Sequence, residues 1–384
     1  MNELKAIISA YEDAKRRQQN CVLATVVHVE GSAYRRAGAR MLVDEDGKMT
    51  GAISGGCLEG DALRKALHAL YQNQNKLITY DTSDEADAVI GAQLGCNGVI
   101  QVLFEPLDYN SSENPLELLK KTVNSDHPLI LVSLFNLDKS KSQFGTVGLF
   151  DRNQLIAGQI QNEDLLTRLK EDIKAVYEKQ CSQFIAYSGK EENINAFLFF
   201  HLPAPHLVIV GAGNDAQVLS QMADTLGWKI NVVDGRPSHA NIDRFIGSCQ
   251  VLVSQPEEIL DELEINNRTL FVLMTHNYHY DFSVFKILLS YPEIPYIGIL
   301  GPMKKYQRML DDLNQEDIEM TDQDSKRVYA PIGLDLGGEN PAEISLSILA
   351  EIQSVLSQSR VMHLREKEGP IHNKKQNEFK EVSL

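Results

Sequence analysis

The stretch Leu207-Val208-Ile209-Val210-Gly211-Ala212-Gly213-Asn214-Asp215-Ala216 decides the reading of the second half of the chain. An apolar run with the pattern of a buried strand ends in a glycine turn that opens an amphipathic helix. Gly211 suits a tight turn, Gly213 lets a phosphate approach the backbone, and the small Ala216 fills the third position of G-x-G-x-x-G/A, where helix meets strand. The amides of Asn214 to Gln217 then point at the anion, aided by the helix dipole. A second strand, Lys229 to Val233, ends at Asp234, the spacing of a carboxylate that accepts a ribose hydroxyl. Strand, turn, helix, strand and acid, in that order, predict a dinucleotide-type phosphate site.

Working outward, strands near Gln250–Val253, Thr269–Met274 and Tyr296–Leu300 alternate with helical stretches, the rhythm of an open parallel sheet. Asn340 and Pro341 open a last helix that runs to Val355. Upstream, Met1 to Asn20 reads as an amphipathic helix. Strands at Cys21–Val29, Arg40–Val43 and Lys48–Ile53 follow, then a helix carrying Leu63, Ala66, Leu67 and Leu70, then strands at Leu77–Tyr80 and Val99–Phe104. The fold class expected is α/β, with an N-terminal mixed α+β domain over 1–106 and a C-terminal Rossmann-like doubly wound parallel sheet over 206–360. The middle region, 107–205, is expected to complete the first sheet and lead to a linker at Pro203-Ala204-Pro205. The polar, lysine-rich tail over 361–384 is expected to be disordered.

With 384 residues, 43% of them hydrophobic, the chain is long enough for two domains with cores of their own. Its formal charge of −16 is spread along the sequence, which argues against a phosphate-backbone partner, so no nucleic acid is expected. No stretch reaches membrane-spanning length and the charged N-terminal helix does not read as a signal peptide; a cytoplasmic protein without membrane attachment is expected. The cysteines Cys21, Cys57, Cys96, Cys181 and Cys249 are odd in number, widely spaced and without a C-x-x-C pair, which speaks against a disulfide framework or a zinc finger.

Cys57 follows Gly55 and Gly56 near the start of a helix, where amides and glycine-exposed backbone suit a thiolate that binds metal or sulfur. The plainer alternative is a small residue packing a glycine turn. Cys96, in Gly95-Cys96-Asn97-Gly98, repeats the arrangement. Arg35, Arg36 and Arg40 crowd a glycine-bounded loop and are candidate anion binders, with a solvated loop or an interface salt bridge as the alternative. At the carboxyl edge of the second sheet, Thr275-His276-Asn277-Tyr278-His279-Tyr280-Asp281 places His276 and Asp281 where they can orient a ligand or move a proton. His276 and His279 have metal spacing but no clear third ligand.

These blocks resemble the XdhC/CoxI family, accessory factors that mature molybdenum hydroxylases such as xanthine dehydrogenase. The resemblance rests on Ala24-Thr25-Val26-Val27 through Glu30-Gly31-Ser32, Arg35-Arg36, Gly38-Ala39-Arg40-Met41 and, above all, Ile53-Ser54-Gly55-Gly56-Cys57-Leu58-Glu59-Gly60-Asp61. Gly95-Cys96, Glu105-Pro106-Leu107, Gly211-Ala212-Gly213, Val233-Asp234, Met274-Thr275-His276 and Pro331-Ile332-Gly333-Leu334 continue it. Two places depart from the family pattern: Asn214 stands where many members have histidine, and Gly301-Pro302-Met303-Lys304 where many have Gly-Ser-Arg-Arg. The resemblance implies a carrier that binds molybdenum cofactor, the molybdopterin-bound metal, favours its sulfurated form and delivers it to an apo-hydroxylase. It further implies a homodimer and a cysteine desulfurase as a partner. On that reading Cys57, with Cys96, contacts or guards the metal or its sulfido ligand, and Gly55, Gly56 and Glu59 belong to the same cofactor-binding block. Arg35, Arg36 and Arg40 engage anionic groups, while Gly211, Gly213, Asn214, Asp234 and His276 bind a nucleotide or pterin phosphate.

Two other functions compete. An NAD(P)-dependent oxidoreductase would use the Rossmann-like crevice with His276 or His279 as acid–base group, Asp234 favouring NAD and Arg236 leaving the phosphorylated form open. A cysteine-based redox protein would cycle a disulfide between Cys57 and Cys96.

Overall fold

Residues Cys21 to Val29 are buried without a break, so the strand they form needs cover on both faces. The computed structural model, which describes residues 2–31, 35–81, 98–138, 140–189, 193–245, 249–368 and 379–383, shows how each face is met. In chain order, α1 (Asn2–Arg16) precedes β1 (Cys21–Gly31), β2 (Arg40–Asp44), β3 (Met49–Gly51), α2 (Glu59–Gln72), β4 (Lys76–Asp81) and β5 (Gly98–Pro106). The strands form an antiparallel sheet ordered β3-β2-β1-β5-β4. Val22, Ala24 and Val26 bury against Ala62, Ala66 and Ala69 of α2. Cys21 and Leu23, pointing the other way, meet Ile7, Tyr11 and Ala14 of α1.

The middle region builds a sheet of its own instead of completing the first. It comprises α3 (Pro115–Val123), β6 (Leu129–Phe135), β7 (Gly145–Asp151), β8 (Gln154–Gly158), α4 (Glu163–Lys179), β9 (Gln183–Ser188) and β10 (Asn193–His201). Its strand β6 is buried at every position and lacks the apolar–polar alternation of a one-sided strand, so it takes cover on both faces. Ile130, Val132 and Leu134 pack against Leu165, Leu169, Ile173 and Val176 of α4. Phe135 joins Val27, Leu103, Phe184 and Phe197 where the two sheets meet. The tail expected to be disordered also contributes here: Phe379–Ser383 pairs parallel to β9 and covers an edge that would otherwise be unpaired.

The chain divides into two units, Glu3–Pro203 joined by Glu368–Leu384, and one containing Ala204–Lys367. The latter comprises β11 (His206–Val210), α5 (Asn214–Thr225), β12 (Lys229–Asp234), β13 (Cys249–Val253), β14 (Thr269–Leu273), α6 (Tyr278–Leu289), β15 (Tyr296–Ile299), α7 (Met303–Gln315), α8 (Asp322–Arg327), β16 (Val328–Tyr329) and α9 (Pro341–Leu356). Its sheet is parallel throughout, ordered β13-β12-β11-β14-β15-β16. Leu207 and Ile209 face Ala216, Leu219 and Ala223 of α5 and Ile348 and Ile352 of α9. Val208 and Val210 face Phe282, Phe285 and Leu288 of α6 and Met309 of α7. Helices therefore cover both faces, and the strand order reverses between β11 and β14, which opens a crevice at their carboxyl ends. Among the described residues no helix is long and apolar enough to cross a membrane.

Candidate functional site

In the N-terminal unit, the loop before α2 is organised by Ser54, a residue to which its sequence context alone assigned no role. The Ser54 hydroxyl accepts the backbone N–H groups of Gly56, Cys57 and Leu58 at 3.2, 3.2 and 3.1 Å, and the Cys57 thiol lies 3.4 Å from the same oxygen. The hydroxyl donates its own proton to Glu59 Oε2, while the Ser54 N–H donates to Glu59 Oε1 at 2.9 Å. Both carboxylate oxygens of Glu59 thus hold the loop. Burial raises the Glu59 carboxyl, yet the hydrogen bonds from Ser54 and the backbone outweigh it and leave the group below the usual range. Gly56 turns the chain at φ +110, and a Cβ there would meet no atom within 4 Å. Cys57 is half-buried, leaning on the apolar cluster of α2 and the first sheet, beside the exposed backbone of Gly55 and Gly56. It forms no disulfide. Cys96 lies outside the described residues.

The three arginines go to three different places. Arg35 pairs with Glu3 at 3.0 Å, and the other oxygen of Glu3 accepts the N–H of Ala52 at 3.1 Å, two residues before Ser54. Arg35 is thereby tied to the thiol loop. Arg36 lines a cleft of ≈ 230 Å³ with Cys181, Ser182 and Phe200. Arg40 is 2% exposed, stacks 4.1 Å from the ring centre of Phe199 and donates to Gly38 O at 3.0 Å. Burial brings its guanidinium down to about 10, with the Glu105 charge opposing. Arg40, a candidate anion binder in the sequence, is a core cation in the structure.

In the Rossmann unit the two glycines of the turn are needed for different reasons. Gly211 has φ +122, and a Cβ there would lie 2.6 Å from the carbonyl carbon and oxygen of Met274. Only glycine lets the end of β14 press against the turn. Gly213 has an ordinary φ of −69, and a Cβ there would meet nothing within 4 Å. Asp234 is 3% exposed. Its Oδ2 accepts the N–H of Ala212 at 2.8 Å and Arg236 Nη2 at 2.8 Å; its Oδ1 accepts Arg236 N and Nε at 3.0 and 2.9 Å. Burial pushes this carboxyl up, but the Arg236 and Ala212 hydrogen bonds more than offset it. The ribose-acceptor role expected of Asp234 is therefore closed while Arg236 holds it; in this structure the carboxylate shapes the turn.

Arg244, which no sequence motif singles out, bends back over the same turn. Its Nη1 donates to Ala212 O at 2.7 Å and His239 O at 2.9 Å, and its Nη2 to Asn214 Oδ1 at 3.0 Å. Across the crevice mouth, His276 is exposed and holds a left-handed φ of +59, uncommon for a residue with a side chain. Asp281 is fully buried and accepts Thr275 Oγ1 and Lys305 Nζ, each at 2.7 Å. Lys305 also donates to Leu300 O at 2.8 Å, so this pair ties the end of β14 to the start of α7. Among the described residues no three His, Cys, Asp or Glu side chains are grouped to hold a metal ion.

A parallel sheet with this turn, and an antiparallel domain with this thiol loop, can be set beside known proteins. Residues 207–352 match the XdhC Rossmann domain and residues 14–81 match the XdhC and CoxI family. Over 337 residues the chain is 30% identical to a probable xanthine dehydrogenase subunit of Bacillus subtilis (strain 168), an alignment covering 87% of this chain and 93% of that protein. The chain belongs to the XdhC and CoxI family. It is also 23% identical over 354 residues to the molybdenum cofactor insertion chaperone PaoD of Escherichia coli (strain K12), covering 91% of this chain and 88% of the relative. A crystal structure of a xanthine dehydrogenase from Bacillus halodurans shares the fold with a TM-score of 0.72 at 27% identity, over 92% of this chain and 96% of that one.

The segment matched to the XdhC and CoxI family contains Arg35, Arg36, Arg40 and the whole Ser54–Glu59 loop; the XdhC Rossmann match contains Gly211, Gly213, Asn214, Asp234, His276 and Arg244. Ser54 carried a signal that could have been read, a hydroxyl shortly before a helix with an acid in its first turn. Arg244 carried none, because only the folded β11–β12 unit brings it to a turn so far away in sequence.

Proposed function

We propose that this XdhC/CoxI chain binds molybdenum cofactor as cargo, favours the sulfurated form, and hands it to the apo form of a molybdenum hydroxylase of the xanthine dehydrogenase kind. The observation that carries the reading is the Cys57 thiol, held by Ser54 at the edge of an exposed glycine backbone. A half-exposed thiol is a soft donor suited to a molybdenum–sulfur centre, and the open space over Gly56 leaves room for a bulky ligand to approach it. The names of the two relatives, one a cofactor insertion chaperone and the other a component of xanthine dehydrogenase, favour the same reading. In it, Ser54 and Glu59 orient the loop, and Cys57 contacts the metal or its sulfido ligand. The glycine turn of the Rossmann unit supplies a phosphate site of its own. A cytoplasmic exchange with a cysteine desulfurase, which would keep the cargo sulfurated, completes the proposal.

The test is anaerobic loading of purified wild type and Cys57→Ala with molybdenum cofactor, scored as molybdenum and pterin retained after gel filtration. Retention by wild type that weakens in the variant is expected. Equal retention by both would remove Cys57 from the site, and no retention by folded wild type would end the carrier reading. The oxidoreductase alternative gains nothing from the structure, since the carboxylate it needs for the ribose is engaged by Arg236.

A further inference from the structure

We propose that Arg236 and Tyr280 close the nucleoside half of the Rossmann crevice, so that this unit, despite its fold, rejects the nicotinamide dinucleotides. The fold implies a dinucleotide whose ribose hydroxyls are received by the acid at the end of the second strand. Asp234 stands there, but a carboxylate has about four lone-pair positions, and every one of them is filled. Two go to backbone N–H groups fixed by the turn itself, Ala212 at 2.8 Å and Arg236 at 3.0 Å. The other two go to Arg236 Nε and Nη2 at 2.9 and 2.8 Å, a bidentate fork. A ribose could enter only by displacing that fork. It would replace two charge-assisted bonds, each about twice as strong as a neutral one, with two neutral hydroxyls. It would also leave a carboxylate that is 3% exposed without its counter-charge. The exchange runs uphill.

Tyr280 closes the same corner from α6. It is half-buried, and its hydroxyl donates to Ser254 O, just past the end of β13, at 2.6 Å. Its ring passes Gly235 on the way: a Cβ on that residue would lie 2.9 Å from Tyr280 Cε2. The ring therefore covers the backbone directly after Asp234, where a nucleoside lying across the carboxyl ends of β12 and β13 would rest. Burial, with the charges of Asp234 and Asp281, pushes the Tyr280 hydroxyl above its ordinary range, so it keeps its proton and its bond to Ser254. The phosphorylated dinucleotide fares no better. Half of the Arg236 side chain is exposed, and it is the cation a 2′-phosphate would seek, but its charge is matched by Asp234. Burial pushes the Asp234 carboxyl up, yet the hydrogen bonds from Arg236 and Ala212 more than offset it, so a phosphate would meet a neutral pair with an ionised acid behind it. Arg236 is thus a specificity residue. The acid that closes the second strand reads as dinucleotide recognition, and the arginine two residues later cancels it.

The experiment is titration of the full chain with NADH and with NADPH, followed by calorimetry and by nicotinamide fluorescence. Folded wild type is expected to bind neither. Arg236→Ala combined with Tyr280→Ala frees two positions on Asp234 and uncovers Gly235. It should gain NADH binding by at least about tenfold over the wild-type limit, the scale of one hydrogen bond to a charged group, and gain less for NADPH. Arg236→Gln with Tyr280→Ala, which keeps a neutral donor on Asp234 and so protects the fold, should gain part of it. Adding Asp234→Asn should remove most of the gain, which mere loosening of the unit would not do; a gain that survives it would refute the lock on the ribose. Binding of either dinucleotide by folded wild type would overturn the proposal outright. If wild type binds neither and the folded variants also bind no NADH, the exclusion does not come from Arg236 and Tyr280, and the proposal falls as well. Retention of molybdenum cofactor is read separately, so failure here is distinguishable from failure of the carrier reading.

Discussion

Replacing Glu105 by glutamine removes a titration that the fold has moved into the neutral range. Glu105 lies on β5, is 1% exposed, and accepts the N–H and the hydroxyl of Thr146 on β7 at 2.5 and 3.0 Å. Burial pushes its carboxyl up to about 7 from the ordinary 4.5, against the opposing pull of the Thr146 hydrogen bonds and of Arg40. Between those two values the native state keeps a proton that the unfolded chain has released. The contribution to stability is therefore complete below about 4.5 and is lost as the pH rises through about 7. Two and a half units at about 1.4 kcal/mol each set an upper bound of about 3 kcal/mol. Arg40, brought down only to about 10, stays charged across this window and adds no slope of its own. Glutamine keeps an acceptor for the Thr146 N–H, and the Thr146 hydroxyl, 2.9 Å from Ser133 Oγ, can turn to accept the new amide. The assay is hydrogen exchange of the β5 and β7 amides from pH 5 to pH 8, with the β11 and β14 amides as an internal reference. Protection in wild type should fall across the window relative to Glu105→Gln, and parallel pH profiles for the two proteins would refute the argument.

Ser54→Ala should cost about 1–3 kcal/mol in thermal unfolding of the N-terminal unit, because three amides and Glu59 Oε2 lose their shared hydroxyl while the backbone N–H of residue 54 still donates to Glu59 Oε1. It should also reduce cofactor retention although Cys57 is still present; full retention would assign the loop's order to Gly56 alone. Lys305→Met should destabilise the Rossmann unit by about 3–5 kcal/mol, since it strands a fully buried Asp281. A melting temperature indistinguishable from wild type would show that Asp281 finds another donor. Gly211→Ala should unfold the turn, whereas Gly213→Ala should melt like wild type, a contrast read from paired melting curves.

Local pattern carried much of the fold. Four apolar residues before Gly211 and the acid at Asp234 were enough for the Rossmann sheet, because burial on both faces and a glycine turn are properties of adjacent residues. The second antiparallel sheet was not legible in the same way. β7 and β10 are paired with β6 across long loops, and nothing within Leu129–Phe135 says whether its cover is the first sheet or a new one. The candidate site shows the same limit. Arg35, Arg36 and Arg40 read alike in sequence, yet Glu3, a cleft beside Cys181, and the ring of Phe199 give them three unrelated roles. Ser54 shows in sequence only as a hydroxyl ahead of a helix with an acid in its first turn, and it becomes a hub once Gly56 has turned three amides toward it.

The glycines point to a way of separating what the fold needs from what a ligand needs. A motif written Gly-x-Gly treats Gly211 and Gly213 as equals, but the structure does not. At Gly211 a side chain would collide with the backbone of Met274, so the protein itself demands glycine there. At Gly213 the dihedral angle is ordinary and the space is empty, so no protein atom demands it. A glycine that costs unfolded-state entropy without a steric reason is retained at the expense of stability, and a ligand that must reach the backbone supplies the reason. Gly60, also open and without a left-handed φ, sits in the first turn of α2 beside the Cys57 loop and meets the same criterion. By that argument, among the described residues, the helix starts at Gly213 and at Gly60, one in each unit, are kept open for a reason other than the fold's own packing.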